Sequence, residues 1–177
     1  MENKTLILGV QGQLGSELSK IFPQAIAWDK DNLDITDRRQ VETKISQLKP
    51  DLVINAAAYT KVDDCEKNRE LALKVNGQAV GYLAETCRKK QIILVHFSTD
   101  YVFSGDKPEG YKEDDRPGPP INVYGESKLL GERLLQKNCQ KYYLIRTAWL
   151  FGQTGPNFVQ AILKKASQGQ SLEVVND

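Results

Sequence analysis

Residues 5–15 read Thr5-Leu6-Ile7-Leu8-Gly9-Val10-Gln11-Gly12-Gln13-Leu14-Gly15, an apolar run followed at once by regularly spaced glycines. Such a run is typical of a buried parallel strand, and Leu14, Leu18 and Ile21 predict an apolar helix stripe directly after it. Glycines at this junction let a pyrophosphate approach the backbone at the helix N-terminus. The spacing G-x-x-G-x-x-G departs from the G-x-G-x-x-G dinucleotide fingerprint, so a purely structural turn stays an alternative.

Strands and helices continue to alternate along the chain. Apolar runs predict further strands at 25–28, 51–54, 92–97 and 142–145, and helical periodicity lies between them. Thr36 is predicted to cap a helix that stops before Pro50, and one helix with a kink at Asn76-Gly77 is predicted over 62–90. The pattern indicates one α/β domain, residues 1–177, built on a doubly wound parallel sheet of the Rossmann type.

Two positions near the carboxyl ends of the first strands suit a nicotinamide cofactor. Asp29 follows the second strand, where an acid binds the ribose hydroxyls of adenosine. Lys30 comes next and suits a 2′-phosphate instead, so NADH and NADPH both stay open, and a solvated turn is the alternative role of Asp29. The third strand leads into Ala56, Ala57 and Ala58, whose small side chains let a cofactor lie against the backbone.

The candidate chemistry lies in two later stretches, Ser98-Thr99-Asp100 at a strand end and Tyr124-Gly125-Glu126-Ser127-Lys128 on a predicted helix. A Tyr and a Lys four residues apart share one helix face, so the ammonium is expected to lower the phenol pKa from its reference value near ~10. Thr99 would hydrogen-bond the same substrate oxygen. This set serves carbonyl reduction or alcohol oxidation, and a solvated helix face is the alternative for the pair alone.

Composition argues against several other classes of protein. A net charge of +1, with Lys and Arg dispersed among acids, predicts no nucleic-acid or anionic-membrane partner. The apolar stretch that follows Met1-Glu2-Asn3-Lys4 is only six residues long, which is too short for a signal peptide, and no apolar run is long enough to span a membrane. We therefore expect a cytoplasmic protein with a small-molecule partner. Cys65, Cys87 and Cys139 lack metal or disulfide spacing and predict buried free thiols.

Three further features are assigned modest roles. His96, the one histidine, lies inside a predicted strand and is expected to be packed and hydrogen-bonded. Asp63 and Asp64 lie near the start of a predicted helix, where carboxylates interact favourably with the helix dipole. This interaction explains them without a metal ion, so no metal site is predicted there. Residues 104–120 are rich in Gly, Pro and charge and predict a long loop at the ligand-binding edge, either a lid or a surface loop.

Together these stretches resemble the extended short-chain dehydrogenase/reductases, and more narrowly the dTDP-4-dehydrorhamnose reductase family of the RmlD type. The narrower resemblance rests on Gly12-Gln13-Leu14-Gly15, Leu33-Asp34-Ile35-Thr36-Asp37, Ala57-Ala58-Tyr59-Thr60-Lys61-Val62-Asp63, Val123-Tyr124-Gly125 and Arg146-Thr147-Ala148-Trp149. It implies NAD(P)H-dependent reduction of the C4 ketone of a dTDP-4-keto-6-deoxysugar, the last step of dTDP-L-rhamnose synthesis.

The resemblance also implies roles for individual residues. The catalytic set would be Thr99, Tyr124 and Lys128, with Lys128 also holding the nicotinamide ribose. The cofactor would meet Gly9, Gly12, Gln13, Leu14 and Gly15 at its pyrophosphate, Asp34 and Ile35 near its adenine, and Ala56, Ala57 and Ala58 on its nicotinamide side. The sugar nucleotide would contact Val62, Asp100, Tyr101 and Trp149.

One departure concerns the C-terminus. The family is usually longer, and this chain ends at Val174-Val175-Asn176-Asp177, where the family pattern continues into a sugar-nucleotide domain. We therefore expect most of the substrate domain to be absent. The resemblance is compatible with a homodimer, and it alone suggests Mg²⁺, for which no ligand set is visible in the sequence.

Two alternatives share the expected fold. One is a non-catalytic binding protein, such as the regulatory subunit of methionine adenosyltransferase, although the intact Thr99, Tyr124 and Lys128 argue against it. The other is a nucleotide-sugar epimerase or dehydratase. A dehydratase would carry acids directly after the threonine, and here Asp100 is followed by Tyr101 instead of Glu.

Overall fold

The computed structural model describes residues 4–155 and 157–172, so Met1–Asn3, Pro156 and the predicted end of the domain at Glu173–Asp177 lie outside the described residues. Its strands are β1 (Thr5–Leu8), β2 (Ile26–Trp28), β3 (Leu52–Asn55), β4 (Ile93–Thr99) and β5 (Tyr142–Thr147). Its α-helices are α1 (Gln13–Ile21), α2 (Arg38–Leu48), α3 (Val62–Lys67), α4 (Arg69–Ala72), α5 (Ala79–Lys90), α6 (Val123–Asn138) and α7 (Phe158–Ser167). A π-helical segment, Leu73–Gln78, joins α4 to α5, and a 3₁₀ turn, Asp100–Val102, follows β4.

The five strands form one parallel sheet in the order β2-β1-β3-β4-β5. The predicted doubly wound parallel sheet is confirmed. Because the chain leaves β1 toward one sheet edge and β3 toward the other, a crevice opens between these two strands at their carboxyl ends. The glycine turn after β1 and the alanines after β3 therefore meet at that crevice.

The core lies on one face of the sheet. Alternate strand residues such as Leu6, Val53 and Leu94 are fully buried beneath α2, α5 and α6. The opposite face, over which α1 packs, is less covered, since Ile93, Tyr143 and Ile145 stay between 37% and 64% exposed. Parallel sheets are normally covered on both faces, so this apolar face is unusual.

Helix α6 crosses the π-helical segment at very short range. A Cβ added at Gly131 would lie 2.2 Å from the Asn76 carbonyl oxygen, and one at Gly77 would lie 2.6 Å from Leu130 Cδ2. The Asn76 amide donates to the Ser127 hydroxyl at 3.0 Å, and its oxygen accepts from the Tyr59 N–H at 2.8 Å. These contacts fix the start of α6 against the segment that follows β3.

Three predicted details differ from the structure. Asp37, not Thr36, caps α2 by accepting from the Arg39 and Gln40 amides, because the Thr36 hydroxyl donates to Asp34 at 2.8 Å instead. The apolar stripe predicted on α1 does not extend to Ile21, because this last residue of the helix is 69% exposed. The single helix predicted over 62–90 is interrupted at Asn68, whereas the kink predicted at Asn76-Gly77 lies within the π-helical segment.

The prediction for the cysteines is confirmed. All three cysteines are buried free thiols. Helix α7 begins after Asn157, whose side chain accepts from the Gln160 amide at 3.0 Å. No helix in the described part of the chain has the length and hydropathy needed to cross a membrane.

Candidate active site

Two adjoining cavities lie along the carboxyl ends of the strands. The first encloses about 360 Å³ and extends from the N-terminus of α1 to the start of α6. The second encloses about 300 Å³ and lies beside the turn after β2. Gly12, Ala56, Ala57 and Ala58 line both, so the two cavities form one elongated groove across the crevice.

The glycine turn shapes the middle of this groove. Gly9 has a φ of +83°, and a Cβ there would lie 2.6 Å from the Ala57 nitrogen, so the turn needs a residue without a side chain. Gly12 precedes the first turn of α1, where no side chain among the described residues caps the helix and no acid occurs. The free amides of that turn suit an anion.

Gly15 has a different role from the other two glycines. It is buried in α1, and a Cβ there would lie 2.2 Å from the Gly9 carbonyl oxygen. It lines neither cavity. The structure therefore gives Gly15 a packing role, which holds the helix close to the turn, and not the wall position that the sequence predicts.

The first cavity brings together the three residues of the predicted catalytic set. Thr99 ends β4, while Tyr124 and Lys128 come from the first two turns of α6. Asn122 caps that helix by accepting from the Gly125 amide at 2.7 Å, and the Glu66 carboxylate accepts from the Val123 amide at 2.8 Å. Both contacts hold Tyr124 at the cavity wall.

Lys128 is almost fully buried at this wall. Its ammonium donates to the Phe97 carbonyl oxygen at 2.6 Å. Burial lowers the pKa of Lys128 to about 8, and the negative charge of Glu132 acts in the opposite direction. The side chain is thus close to its titration range at neutral pH.

The pKa of Tyr124 differs from the prediction. Burial raises it above the usual value, a hydrogen bond with Thr99 opposes this effect, and the charge of Asp100 adds to it. The net shift is thus upward, opposite to the predicted lowering, because burial outweighs the hydrogen bond that opposes it. Tyr124 carries its proton at neutral pH, as a proton donor must.

His96 lies just beneath this wall without reaching it. The ring is 1% exposed, and its Nδ1 lies 3.2 Å from the Asn55 amide nitrogen. Burial and the nearby charge of Lys128 lower the pKa of His96 well below 6.5. The expectation of a packed, hydrogen-bonded histidine is confirmed, and the ring is neutral.

The residues predicted to contact a sugar nucleotide also line the first cavity. They are Val62, Asp100, Tyr101 and Trp149. The Tyr101 ring meets the Tyr124 ring edge to face, with centroids 5.9 Å apart. Trp149 is 71% exposed and contacts Phe158 of α7 in the same geometry at 5.2 Å. Aromatic rings thus form the outer rim of the cavity.

The second cavity contains the residues predicted to lie near adenosine. Asp29, Asp34 and Ile35 line it, together with Lys30. The Asp29 carboxylate already accepts hydrogen bonds from the Gln11 side chain and from the Asp31 amide. Much of its hydrogen-bonding capacity is therefore used within its own turn.

Several wall residues were not assigned by the sequence analysis. They are Gln11, Leu71, Val75, Asn55, Ser98, Thr147 and Leu150. Asn55, Ser98 and Thr147 stand at or next to the last residues of β3, β4 and β5. Their signal was the strand end itself, since the carboxyl ends of neighbouring parallel strands meet at one edge.

Within residues 4–155 and 157–172, no three His, Cys, Asp or Glu side chains are grouped so that they could hold a metal ion.

Comparison with known families gives a consistent result. A family model described as "RmlD substrate binding domain" matches residues 3–177. A dTDP-4-dehydrorhamnose reductase of Aggregatibacter actinomycetemcomitans is 43% identical over 98% of this chain and 60% of its own length. The spore coat polysaccharide biosynthesis protein SpsK of Bacillus subtilis is 42% identical over 98% of this chain and 62% of its own length.

Among solved structures, a dTDP-4-dehydrorhamnose reductase from Bacillus anthracis in complex with NADP superimposes with a TM-score of 0.91. It is 40% identical, and the match covers 95% of this chain and 61% of that one. The chain therefore spans about three fifths of the length of the relatives that it matches.

Proposed function

Because this chain belongs to the RmlD substrate binding domain family, we propose that it is the cofactor-binding and proton-transfer part of an NAD(P)H-dependent reductase. The reaction we propose is reduction of the C4 ketone of dTDP-4-dehydrorhamnose to dTDP-L-rhamnose, a precursor of cell-surface polysaccharide. The names of the relatives support this assignment. We propose further that residues 1–177 form the cofactor domain and that a C-terminal sugar-nucleotide domain completes the site.

One observation carries the proposal. Thr99, Tyr124 and Lys128 line the same cavity, and that cavity continues past Gly12 into a second one beside Asp29 and Lys30. The residues fit a dinucleotide, because uncapped amides at the start of α1 suit a pyrophosphate and a Cβ at Gly9 would collide with the groove floor. A nucleotide-sugar epimerase would share this groove, and the names of the relatives favour the reductase over it.

The three residues have complementary roles in the proposed reaction. A bound NADPH supplies the hydride that attacks the carbonyl carbon. The Tyr124 phenol gives its proton to the carbonyl oxygen as the alcohol forms, and the Lys128 ammonium stabilises the phenolate left behind. The Thr99 hydroxyl donates to the Asp100 carboxylate at 2.8 Å in the structure, and it would exchange this bond for one to the substrate oxygen.

We propose that NADPH is preferred over NADH. Asp29 uses its carboxylate within its own turn, which leaves less capacity for a free ribose 2′-hydroxyl. Lys30 lines the same cavity and offers a positive charge for a 2′-phosphate. The NADP in the Bacillus anthracis relative is consistent with this preference.

Calorimetric titration of this chain with NADPH and NADH tests cofactor binding. We expect NADPH to bind more tightly, Gly12→Trp to abolish binding of both, and the exposed control Gln47→Trp to bind like the wild type. Lys30→Ala should weaken NADPH about tenfold and leave NADH unchanged. Absence of binding to the folded wild type would contradict the proposal.

Oxidation of NADPH in the presence of the dTDP-linked ketone, by this chain joined to the proposed C-terminal sugar-nucleotide domain, tests the reaction itself. We assign no residues to Mg²⁺. A cytoplasmic location and a homodimer stay predictions, and cell fractionation and sedimentation velocity would test them.

A further inference from the structure

The buried ion pair between α6 and β5 lies outside the three proposed catalytic residues. Arg146 Nε donates to Glu132 Oε1 at 2.9 Å, and Arg146 Nη2 donates to Oε2 at 2.8 Å. The Glu132 carboxylate is almost completely buried, whereas the arginine is partly exposed. A buried carboxylate is costly unless it is paired, so the bidentate contact fixes both its charge and its position.

Glu132 stands on the same face of α6 as the proposed catalytic residues. Tyr124, Lys128 and Glu132 follow one another at intervals of four residues, which places them in one row along the helix. Lys128 and Glu132 are both at most 3% exposed. Two buried opposite charges one turn apart attract each other, because little water screens them.

The other groups around Lys128 do not replace this charge. They are Tyr124 on the same helix, His96 on β4, Asp100 after β4, and Arg146, which faces Glu132 from β5. Tyr124 and His96 are neutral at pH 7, and Asp100 is exposed and hydrogen-bonded to Thr99. Glu132 is therefore the buried anion in this group.

We propose that Glu132, held in place by Arg146, is a positioning residue that keeps Lys128 in its ammonium form at the cavity wall at neutral pH. This role rests on the proposed function of Lys128 as the partner of Tyr124. Burial by itself disfavours an ammonium, and the carboxylate one helical turn away offsets that effect. Neither the family match nor the motif residues assign a role to this pair.

Two substitutions separate this role from simple packing. Glu132→Gln keeps the size of the side chain and removes its charge, while Glu132→Asp keeps the charge and shortens the side chain. If Glu132 only ties α6 to β5, the aspartate should disturb Lys128 at least as much as the glutamine. If its charge matters, the glutamine alone should change the titration of Lys128.

The measurement is a pH titration followed by NMR on protein with ¹³Cε-labelled lysine, with the Lys128 signal assigned by its loss in Lys128→Arg. In the wild type we expect a midpoint at about pH 8. Glu132→Gln should lower it by about one pH unit or more, and Glu132→Asp should stay near the wild type. Glu126→Gln is the matched control, because Glu126 pairs with Arg69 on the exposed side of the same helix.

An unchanged midpoint in folded Glu132→Gln, or an equal shift in Glu132→Asp, would overturn the proposal. Should Glu132→Gln not fold, Glu132→Asp alone decides, and a shifted midpoint there counts against the proposal. The titration needs no cofactor, so failure of the wild type to bind NADPH would contradict the proposed function and leave this result standing.

Discussion

At the scale of single residues, the protonated phenol of Tyr124 is the group on which the proposed chemistry depends. In a chain that carries the sugar-nucleotide domain, Tyr124→Phe should lower turnover of the dTDP-linked ketone on the order of 10²-fold or more, because the hydride transfer would lack its proton donor. Binding of NADPH should be unchanged, since the ring still fills the wall. Steady-state kinetics and calorimetry measure the two effects separately.

The control for Tyr124→Phe is Tyr82→Phe, on a tyrosine of α5 whose ring lies beneath Arg38, away from the groove. It should behave like the wild type in both measurements. Turnover by Tyr124→Phe close to that of the control would rule out the assigned role.

Lys128 makes stability depend on pH in the alkaline range. Its pKa is about 8 in the folded protein and about 10.5 when unfolded, so the unfolded chain binds more protons between these values. The resulting destabilisation is complete below about pH 8 and disappears as the pH rises past 10.5. Its size is on the order of 3 kcal/mol.

Lys128→Met removes this titration. Urea denaturation at fixed pH values from 7 to 10.5 should show the stability advantage of Lys128→Met over the wild type shrinking as the pH rises. The loss of the bond to Phe97 shifts the whole curve for Lys128→Met but not its slope. Parallel curves for the two proteins would show that the buried ammonium costs nothing.

At the scale of elements, the crossing of α6 over the π-helical segment should tolerate no added side chain. Gly131→Ala places a methyl group 2.2 Å from the Asn76 carbonyl oxygen, so one backbone has to move. We expect a loss of about 2 kcal/mol or more in the free energy of unfolding. Chemical denaturation measures it.

Gly81→Ala, on α5, is the matched control. Its new methyl group would lie 3.2 Å from the end of the Leu134 side chain, which can move aside, while alanine favours the helix. Its stability should stay within about 1 kcal/mol of the wild type. Equal effects at the two glycines would contradict the tight crossing.

The sequence predicted elements better than it predicted their interruptions. Apolar runs placed every strand to within two residues, because burial of a parallel strand leaves a local pattern. The π-helical segment depends on contacts of Asn76 with Tyr59 and Ser127, which are 17 and 51 residues away in the chain. The Asn76-Gly77 pair predicted a kink at this place, but no local pattern reports the distant contacts that accompany it.

In the candidate site too, the sequence indicated residues that belong to local motifs and missed contacts between distant elements. Motif spacing indicated the residues that the groove brings together, such as Gly12, Thr99 and Tyr124. It did not indicate the Glu66 contact to Val123 or the Glu132–Arg146 pair, whose partners come from separate elements. It also missed the direction of the Tyr124 pKa shift, because that direction depends on burial.

At the scale of the whole molecule, the sheet face beside α1 presents apolar side chains to solvent. Tyr143 and Ile145 of β5 are 64% and 41% exposed and point to this face. We expect the chain to self-associate through it as its concentration rises. The double variant Tyr143→Lys/Ile145→Lys should reduce self-association in sedimentation velocity and leave NADPH affinity unchanged.

A matched pair of lysines on the far side of the molecule, Thr43→Lys/Gln47→Lys on exposed positions of α2, adds the same charge without touching the sheet face. It should leave self-association as in the wild type. If both double variants reduce it equally, net charge and not the apolar face is responsible.

The close approach of α6 and the π-helical segment also has a mechanical consequence. At Gly131, α6 and the π-helical segment are so close that neither can shift toward the other. We therefore expect the wall that carries Tyr124 and Lys128 to be rigid. On the opposite rim, Trp149 is 71% exposed on a left-handed backbone, and its ring packs edge to face on Phe158. Opening of the groove to admit and release ligands should therefore swing on the Trp149 side, while the side that handles the proton stays still.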